Sequence, residues 1–166
     1  MTINAIFATD SRGGLGFRGS LPWPHNTDDL QWFKEHTANQ IVVMGRNTWD
    51  DPKMPKPLPG RVCCVFTNRF IKMDRVYCLA GDYRKQILKL EKEFPNKDIY
   101  IIGGKSLLEA TRPLVDNLYL TMMKNTFKVD CSIDLRLYLK GFRILSAKPT
   151  ELCTFTVYKN ENPFII

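Results

Sequence analysis

The chain has 166 residues, a length that suits one domain with a core and a ligand cleft, and we expect a single domain over residues 1–166. Hydrophobic residues make up 44% and charged residues 25% of the chain, a composition that excludes extensive disorder. Apolar runs such as residues 99–102 are too short to span a bilayer, and residues 1–4 show no signal-peptide pattern. We therefore expect a cytoplasmic protein without a membrane partner.

The charge balance is basic, with 24 Lys and Arg residues against 17 Asp and Glu residues and a net charge of +7. A basic surface attracts anions such as nucleic acid, acidic lipid or a phosphorylated small molecule. The charges are scattered rather than gathered in a block, and no basic stripe with interleaved aromatic residues occurs. The pattern favours a phosphorylated metabolite or a plain solvated surface over nucleic acid.

The five cysteines are odd in number and include no C-x-x-C pair, so we expect neither a disulfide framework nor a metal site. Cys63 and Cys64 lie in a strand-like run, where adjacent side chains face opposite ways. These two thiols cannot easily share a metal ion. Free cysteines packed as small apolar groups are the favoured interpretation.

Strand-like and helix-like segments alternate along the chain. The predicted strands cover residues 3–9, 40–44, 62–67, 76–79, 98–102, 118–123, 142–147 and 153–159. The predicted helices cover residues 27–36, 83–94 and 105–111, with a short helix opening at residues 45–48. Three apolar residues of the amphipathic helix 83–94 are expected to face the core: Ile87, Leu88 and Leu90.

The alternation of strands and helices predicts an α/β fold, with a central, mostly parallel mixed sheet flanked by helices. The last two strands are expected to form a C-terminal antiparallel hairpin. A glycine-rich loop at residues 11–16 and a proline-rich loop at residues 51–60 interrupt the pattern. Ligands of such sheets bind at the carboxyl ends of the strands, so the residues that follow each strand are the first candidates for a site.

Three of these strand ends carry groups that suit anions. The residues concerned are Gly103, Gly104, Lys105 and Ser106 after one strand, Gly45, Arg46 and Thr48 after another, and Thr67, Asn68 and Arg69 after a third. A plain tight turn at the paired glycines, or a surface arginine at position 46, remains an alternative. Together the three junctions favour a ligand with more than one phosphate, such as a dinucleotide that carries an extra phosphate.

The helix predicted at residues 27–36 carries the candidate acid. Asn26 or Thr27 can cap its start, and Asp29 and Phe33 share one face at i, i+4 spacing. A carboxylate beside apolar rings can accept paired hydrogen bonds from the amidine-like edge of a flat heterocycle, although a solvated first-turn acid is the alternative. Arg61, where a rigid loop meets a strand, could clamp a carboxylate, or it could be an ordinary turn arginine.

These pieces, in this order and over nearly the whole chain, resemble the dihydrofolate reductase family. The matching motifs are Ala5-Ile-Phe-Ala8, Leu15-Gly16, Leu21-Pro-Trp23, Asp29-Leu30 with Phe33, Met44-Gly-Arg-Asn-Thr-Trp49, Pro57-Leu-Pro-Gly-Arg61, Ile102-Gly-Gly104 and Leu118-Tyr-Leu-Thr121. The resemblance implies reduction of 7,8-dihydrofolate to tetrahydrofolate by NADPH, with hydride transfer to C6 and protonation of N5. It also implies a monomer that supports one-carbon metabolism and thymidylate synthesis, and that is a target of antifolates.

The resemblance also implies roles for individual residues. Catalysis would depend on Asp29 as the acid that holds the pterin ring, on Thr121 as its hydrogen-bonding support and on Trp23 as the residue that orients water. The implied substrate-binding residues are Ile6, Ala8, Asp29, Leu30, Phe33, Leu58, Arg61, Ile102 and Thr121. The implied cofactor-binding residues are Ala8, Leu15, Gly16, Gly45, Arg46, Asn47, Thr48, Thr67, Asn68, Arg69, Ile102, Gly103, Gly104, Lys105, Ser106 and Leu107.

Two backbone features follow from the same resemblance. The peptide between Gly103 and Gly104 is expected to be cis. The loop at residues 9–20, which contains four glycines, is expected to gate the nicotinamide pocket.

The sequence departs from the usual family pattern at several places. Residues 24–28 carry one residue more than common bacterial forms, and the loop at residues 50–56 is longer and richer in proline. Leu108 stands where an aromatic hydroxyl is common, and Lys105-Ser106 replaces a more usual Gly-Arg pair. Two alternative functions remain: a pyrimidine reductase of riboflavin synthesis, which needs neither Asp29 nor Arg61, and a nucleic-acid binder without enzymatic activity.

Overall fold

The computed structural model describes residues 2–161, and its elements follow the predicted order. The strands are β1 (Ile3–Thr9), β2 (Gly14–Gly16), β3 (Ile41–Gly45), β4 (Val62–Phe66), β5 (Val76–Leu79), β6 (Ile99–Gly103), β7 (Asn117–Met123), β8 (Cys131–Ser132), β9 (Phe142–Pro149) and β10 (Cys153–Asn160). The helices are α1 (Thr27–Thr37), α2 (Arg46–Trp49), α3 (Tyr83–Glu93), α4 (Lys105–Thr111) and α5 (Leu135–Tyr138), with a 3-10 turn at Arg112–Leu114.

Eight of the strands form one sheet in the order β5-β4-β3-β6-β1-β7-β10-β9. Neighbours from β5 to β7 pair in parallel, whereas β10 pairs antiparallel with both β7 and β9. The predicted α/β fold with a mixed sheet and a closing hairpin is therefore confirmed. Because β1, β3, β4 and β6 run parallel, their carboxyl ends meet at the same edge of the sheet, where the candidate residues follow them.

The core lies on both faces of this sheet. β3 and β4 are buried along nearly their whole length, as expected for parallel strands that are covered on two sides. Cys64 packs into the larger core cluster, with residues such as Ile99 and Leu118, and Cys63 packs into a second cluster with Met44 and Trp49. The two thiols thus face opposite ways, as predicted, and burial raises the pKa of Cys64 to about 12.

One predicted core residue is wrong. In α3, Ile87 and Leu90 are buried, but Leu88 is 39% exposed. Ile87 and Leu90 are three residues apart on one face of the helix, and Leu88 is turned about 100° away from Ile87 toward solvent. A helix that covers one face of a sheet buries a single stripe, and Leu88 lies beside that stripe.

Four short elements were not predicted: β2, β8, α5 and the 3-10 turn at Arg112–Leu114. β2 and β8 pair antiparallel as a two-stranded ribbon, and their lengths of three and two residues are too short to show a periodic pattern. The ribbon joins the glycine-rich loop after β1 to the segment after β7. Among residues 2–161, no helix is long and apolar enough to cross a membrane.

Candidate active site

The first turn of α1 carries the candidate acid. Asn26 caps the helix, with its side-chain oxygen accepting a hydrogen bond of 3.2 Å from the backbone N–H of Asp29. This cap satisfies one of the N–H groups that a helix start leaves without a partner inside the helix. Asp28, in the same turn, is exposed, and Asp29 is partly buried. The local sequence therefore presents Asp29, rather than Asp28, to the protein interior.

The carboxyl group of Asp29 is held from the sheet. Thr121 of β7 donates a hydrogen bond of 2.7 Å from its hydroxyl to Asp29 Oδ1. Burial raises the pKa of Asp29 above its ordinary value, while the hydrogen bond from Thr121 opposes that effect. Ala8 of β1 is the register partner of Thr121, so the candidate acid lies beside the end of the central strand.

Trp23 packs near Ala8, at the end of β1. It is 4% exposed and packs in a cluster with Met123, Cys153 and Phe155, against which Ala8 also packs. The ring of Trp23 lies 5.9 Å from that of Phe127. This packing places Trp23 beside Ala8, whose register partner Thr121 binds the candidate acid.

Arg61 is buried next to an aromatic wall. The side chain is 7% exposed, and the guanidinium carbon lies 5.8 Å from the ring centroid of Phe33. Its Nε has no hydrogen-bond partner within the described residues. Because a buried N–H that lacks a partner is costly, the ordinary turn-arginine alternative accounts poorly for this side chain. Phe33 and Ile102 both pack against the buried cluster that contains Leu58.

Three glycines meet where β3 and β6 end. The peptide between Gly103 and Gly104 is cis, as expected, and Gly103 has a positive φ of 126°. A Cβ atom added at Gly45 would lie 3.7 Å from the carbonyl oxygen of Gly103 and 3.8 Å from the nitrogen of Gly104. A Cβ atom added at Gly103 would lie 3.8 Å from the hydroxyl oxygen of Thr48. These distances are ordinary van der Waals contacts, so a side chain would occupy this space without a clash, and the positive φ favours glycine at Gly103.

A cavity of about 400 Å³ adjoins the ends of β3, β4 and β5. It is lined by Arg46, Phe66, Thr67, Asn68, Arg69, Leu79, Ala80, Gly81 and Tyr83. Arg46 donates a hydrogen bond of 3.1 Å to the Thr67 hydroxyl, and its Nε lies 3.1 Å from a carboxylate oxygen of Asp50. Arg69 lies 3.7 Å from the other oxygen of Asp50. The cavity thus has a cationic edge, on which a single acid bridges two arginines.

The loop at residues 9–20 is attached to the segment after β7 by two acids that were not predicted. Asp10 is 1% exposed and accepts hydrogen bonds from the backbone N–H groups of Arg12, Gly14 and Phe127. Burial raises its pKa, but these hydrogen bonds outweigh burial, and the pKa of Asp10 lies below its ordinary value. Asp130 accepts from the N–H of Arg18 at 2.8 Å.

A family model for dihydrofolate reductase matches residues 2–157. The chain belongs to the dihydrofolate reductase family. Reduction of 7,8-dihydrofolate with NADPH is the function of this family, so the chain is an NADP-dependent oxidoreductase, as the sequence predicted. The pyrimidine reductase and nucleic-acid alternatives are not supported.

Individual relatives match along nearly their whole length. The chain is 33% identical over 172 aligned positions to dihydrofolate reductase type 9 of Escherichia coli, covering 98% of this chain and 95% of the relative. It is 30% identical over 165 positions to dihydrofolate reductase of Lactococcus lactis, covering 96% of each. A solved structure of dihydrofolate reductase from Enterococcus faecalis, complexed with NADP(H) and RAB-propyl, matches with a TM-score of 0.79 and 28% identity, covering 95% of each chain.

The residues of this dihydrofolate reductase fit the cofactor of the family. Gly45, Gly103 and Gly104 carry no side chain where β3 and β6 end, so the backbone at the start of α4 is open to close approach by an anionic group. The cavity beside Arg46 and Arg69 combines cations and the Thr67 hydroxyl with aromatic and apolar walls, a donor set suited to a phosphorylated nucleoside. The two regions adjoin, because the Tyr83 hydroxyl lies 3.4 Å from the hydroxyl of Ser106 at the start of α4.

The structure does not bring every predicted site residue to this cleft by its side chain. Leu107 is 2% exposed and packs in the main core, so only its backbone can face a cofactor. Leu30 is 49% exposed on α1 and Asn47 is exposed on α2, so both side chains are accessible to a ligand. Lys105 lines a second cavity of about 530 Å³ together with Arg12 and Arg136. Ile6 is buried in β1, and Leu15 packs at the edge of the main core while Gly16 remains partly buried.

Four residues around the site were missed: Asp10, Asp50, Tyr83 and Asp130. Asp50 had a usable signal, since it follows Arg46 by four residues on a helix, a spacing at which opposite charges pair. Asp10 also had a local signal, because an aspartate commonly accepts from backbone N–H groups just after it, as Asp10 does from Arg12 and Gly14. Asp130 had none, because its partner Arg18 lies 112 residues away along the chain.

Proposed function

We propose that Asp29 holds the pterin ring of dihydrofolate through the 2-amino group and N3. The supporting observation is the hydrogen bonding of its carboxylate. Oδ1 accepts one hydrogen bond from Thr121, while no described residue donates to Oδ2. A partly buried carboxylate with a free oxygen matches a pair of adjacent N–H donors on a flat heterocycle. Thr121 then fixes the direction from which the ring approaches.

The remainder of the substrate would lie between the apolar wall and Arg61. Phe33, Leu58 and Ile102 would line the pterin and aminobenzoyl rings, with Ile6 and Ala8 at the strand end and Leu30 at the outer rim. Arg61 would bind the α-carboxylate of the glutamate tail. The buried Nε of Arg61 supports this assignment, because it has no hydrogen-bond partner among the described residues and a carboxylate could accept from it.

The cofactor would extend from the strand ends to the adenosine cavity. Gly103, Gly104, Lys105 and Ser106 would bind the diphosphate, with Gly45, Asn47 and Thr48 facing it and Leu107 contributing backbone. Arg46, Thr67, Asn68 and Arg69 would bind the adenosine end and its 2′-phosphate. Ala8, Leu15, Gly16 and Ile102 would contact the nicotinamide end.

When bound, NADPH supplies the hydride for C6 of dihydrofolate. The chain contributes the position of the two rings and a site from which water is largely excluded. Since Trp23 and Asp29 adjoin the same end of β1, a water ordered between them would carry the proton to N5. Burial raises the pKa of Asp29 above its ordinary value, so its carboxyl group accepts a proton from such a water more readily than an exposed aspartate does.

The test is the oxidation of NADPH with dihydrofolate, followed spectrophotometrically beside a control without substrate. We expect substrate-dependent oxidation that is lost in Asp29→Asn, while NADPH still binds. Oxidation that proceeds equally with and without dihydrofolate would contradict the assignment. We also propose a single-domain monomer over residues 1–166 that acts in the cytoplasm, where it would support one-carbon metabolism, and size-exclusion chromatography tests the monomer.

A further inference from the structure

The segment that leads into α1 carries a buried amide with an unusual environment. Asn26 is 7% exposed, and its side chain lies against the cluster formed by Trp23, Met123, Cys153 and Phe155. A polar side chain buried among sulfur atoms and aromatic rings loses hydration, so its contacts must compensate.

Both ends of this amide have partners. Oδ1 accepts from the backbone N–H of Asp29 at 3.2 Å, and Nδ2 lies 3.7 Å from Met123 Sδ and 3.7 Å from Cys153 Sγ. The N–H of Asp29 can only donate, so the oxygen of the amide must face it. The NH₂ group therefore faces the two sulfur atoms, and the amide has one orientation.

Asn26 and Asp29 both contact residues of the same strand, β7. Met123 and Thr121 are two residues apart on β7, so their side chains lie on one face of the sheet. Met123 is also the register partner of Cys153 on β10, and Thr121 is that of Phe155. The first turn of α1 is thus attached to one face of β7 at two points, through the Asn26 amide and through the Asp29 carboxylate.

We propose that Asn26 is a positioning residue for the dihydrofolate reductase reaction, holding Asp29 at Thr121 through its cap and its two sulfur contacts. This inference rests on the proposed role of Asp29 in binding the pterin ring. Further along α1, Trp32 stacks on Phe155 of β10 with ring centroids 4.7 Å apart, so the body of the helix is anchored to the sheet independently of Asn26. At the first turn, loss of the Asn26 contacts leaves the Thr121 bond, about which that turn can shift and carry the carboxylate toward solvent.

The test compares Asn26→Ala, Asn26→Ser and the matched control Asp82→Ala. Asp82 caps α3 in the same way, accepting from the N–H of Lys85 at 3.0 Å, and it lies outside the proposed pterin site, although its neighbours Gly81 and Tyr83 line the adenosine cavity. Asn26→Ser keeps an oxygen for the cap but loses the sulfur contacts, and it remains testable if Asn26→Ala does not fold. The readouts are the pH profile of turnover, the KM for dihydrofolate and the affinity for NADPH.

In both Asn26 variants we expect the pH midpoint of turnover to fall by about half a unit or more, because a more hydrated Asp29 ionises at lower pH. The KM for dihydrofolate should rise about tenfold in Asn26→Ala, with the affinity for NADPH unchanged. Asp82→Ala should lower thermal stability without moving the midpoint. A midpoint in Asn26→Ala equal to that of the unsubstituted enzyme would overturn the proposal, as would a midpoint shift of the same size in Asp82→Ala.

A second readout separates this inference from the proposed function. NMR titration of the Asp29 carboxyl carbon, assigned by comparison with Asp29→Asn, reports the pKa in the free protein without any turnover. A lowered Asp29 pKa in Asn26→Ser supports the positioning role even if the unsubstituted enzyme does not reduce dihydrofolate. An unchanged pKa there overturns the part assigned to the sulfur contacts.

Discussion

Thr121 Oγ1 donates a 2.7 Å hydrogen bond to Asp29 Oδ1 and joins two residues that are 92 positions apart in the chain. The bond connects the first turn of α1 to the parallel strand that pairs with β1. The acid therefore has its position set by the sheet as well as by its own helix. Every expectation about turnover at this site depends on that attachment.

Asp29→Asn should reduce turnover near neutral pH by at least about a hundredfold, or roughly 3 kcal/mol in activation free energy. Asparagine has the same size and can still accept from Thr121, so the variant tests the negative charge rather than the shape. Binding of NADPH should be retained, as measured by quenching of protein fluorescence. The control is Asp28→Asn, which changes the exposed neighbouring acid and should leave turnover intact. Turnover of Asp29→Asn close to that of the unsubstituted enzyme would contradict the assigned role.

The same substitution should stabilise the free protein at neutral pH. Burial raises the pKa of Asp29, so ionising the carboxyl costs more in the folded than in the unfolded state. This cost is absent below the pKa of the unfolded chain, grows as the pH rises toward the folded pKa and is complete above it. Urea unfolding of Asp29→Asn at neutral pH should therefore give a higher free energy of unfolding than the unsubstituted protein. The difference in free energy of unfolding between the two proteins should vanish in acid. A difference that instead grows as the pH falls would mean that the pKa of Asp29 is shifted in the opposite direction.

Arg61→Ala should raise the KM for dihydrofolate by about tenfold or more, because a charge-assisted pair with the glutamate carboxylate is lost. Arg61 is buried and its Nε has no partner among the described residues, so the substitution breaks no internal hydrogen bond at that atom. Arg61→Lys should restore only part of the affinity, since an ammonium cannot form the bidentate pair. With a substrate analogue that lacks the glutamate tail, the variant and the unsubstituted enzyme should have equal KM values. A KM difference that persists with that analogue would show that Arg61 does not act on the glutamate tail.

Arg46→Ala should narrow the preference for NADPH over NADH by about tenfold, because one cation at the edge of the adenosine cavity is removed. The affinity for NADH should change little. The informative comparison is Asp50→Asn, which removes the acid that lies 3.1 Å from Arg46 but leaves both arginines in place. That variant should keep the preference for NADPH, and dissociation constants for both cofactors check it. An unchanged ratio in Arg46→Ala would remove this arginine from the 2′-phosphate site.

Gly13→Ala and Gly19→Ala form a matched pair within the loop at residues 9–20. Both glycines have a positive φ, 83° and 80°, so both substitutions add backbone strain of about 1 kcal/mol. At Gly13 the new Cβ would also overlap the carbonyl oxygen of Ile133, whereas nothing lies within 4 Å at Gly19. Gly13→Ala should therefore raise the KM for NADPH and lower thermal stability more than Gly19→Ala. Equal effects of the two substitutions would mean that contact with Ile133 does not hold the loop.

Local sequence patterns were enough to predict most of the fold. The alternation of apolar runs with helical periodicity placed the eight strands of the main sheet and the longer helices within one or two residues of their observed ends. The same patterns failed for Leu88, because a helix buries only one stripe, and for β2 and β8, because two or three residues show no period. Residue types at strand ends also favoured a phosphate-bearing ligand, since glycine, arginine and hydroxyl groups at such positions suit an anion.

The sequence by itself determined which backbone segments become strands, helices and open glycine turns, because those preferences act between neighbours along the chain. Only the tertiary structure decided which polar groups meet: Asp29 with Thr121, Asn26 with the sulfur atoms of Met123 and Cys153, and Asp10 with the N–H of Phe127. Those pairings follow from the order of strands in the sheet, which brings β1, β7 and β10 side by side. That order is selected by burial of the whole core, and no local stretch of sequence contains it.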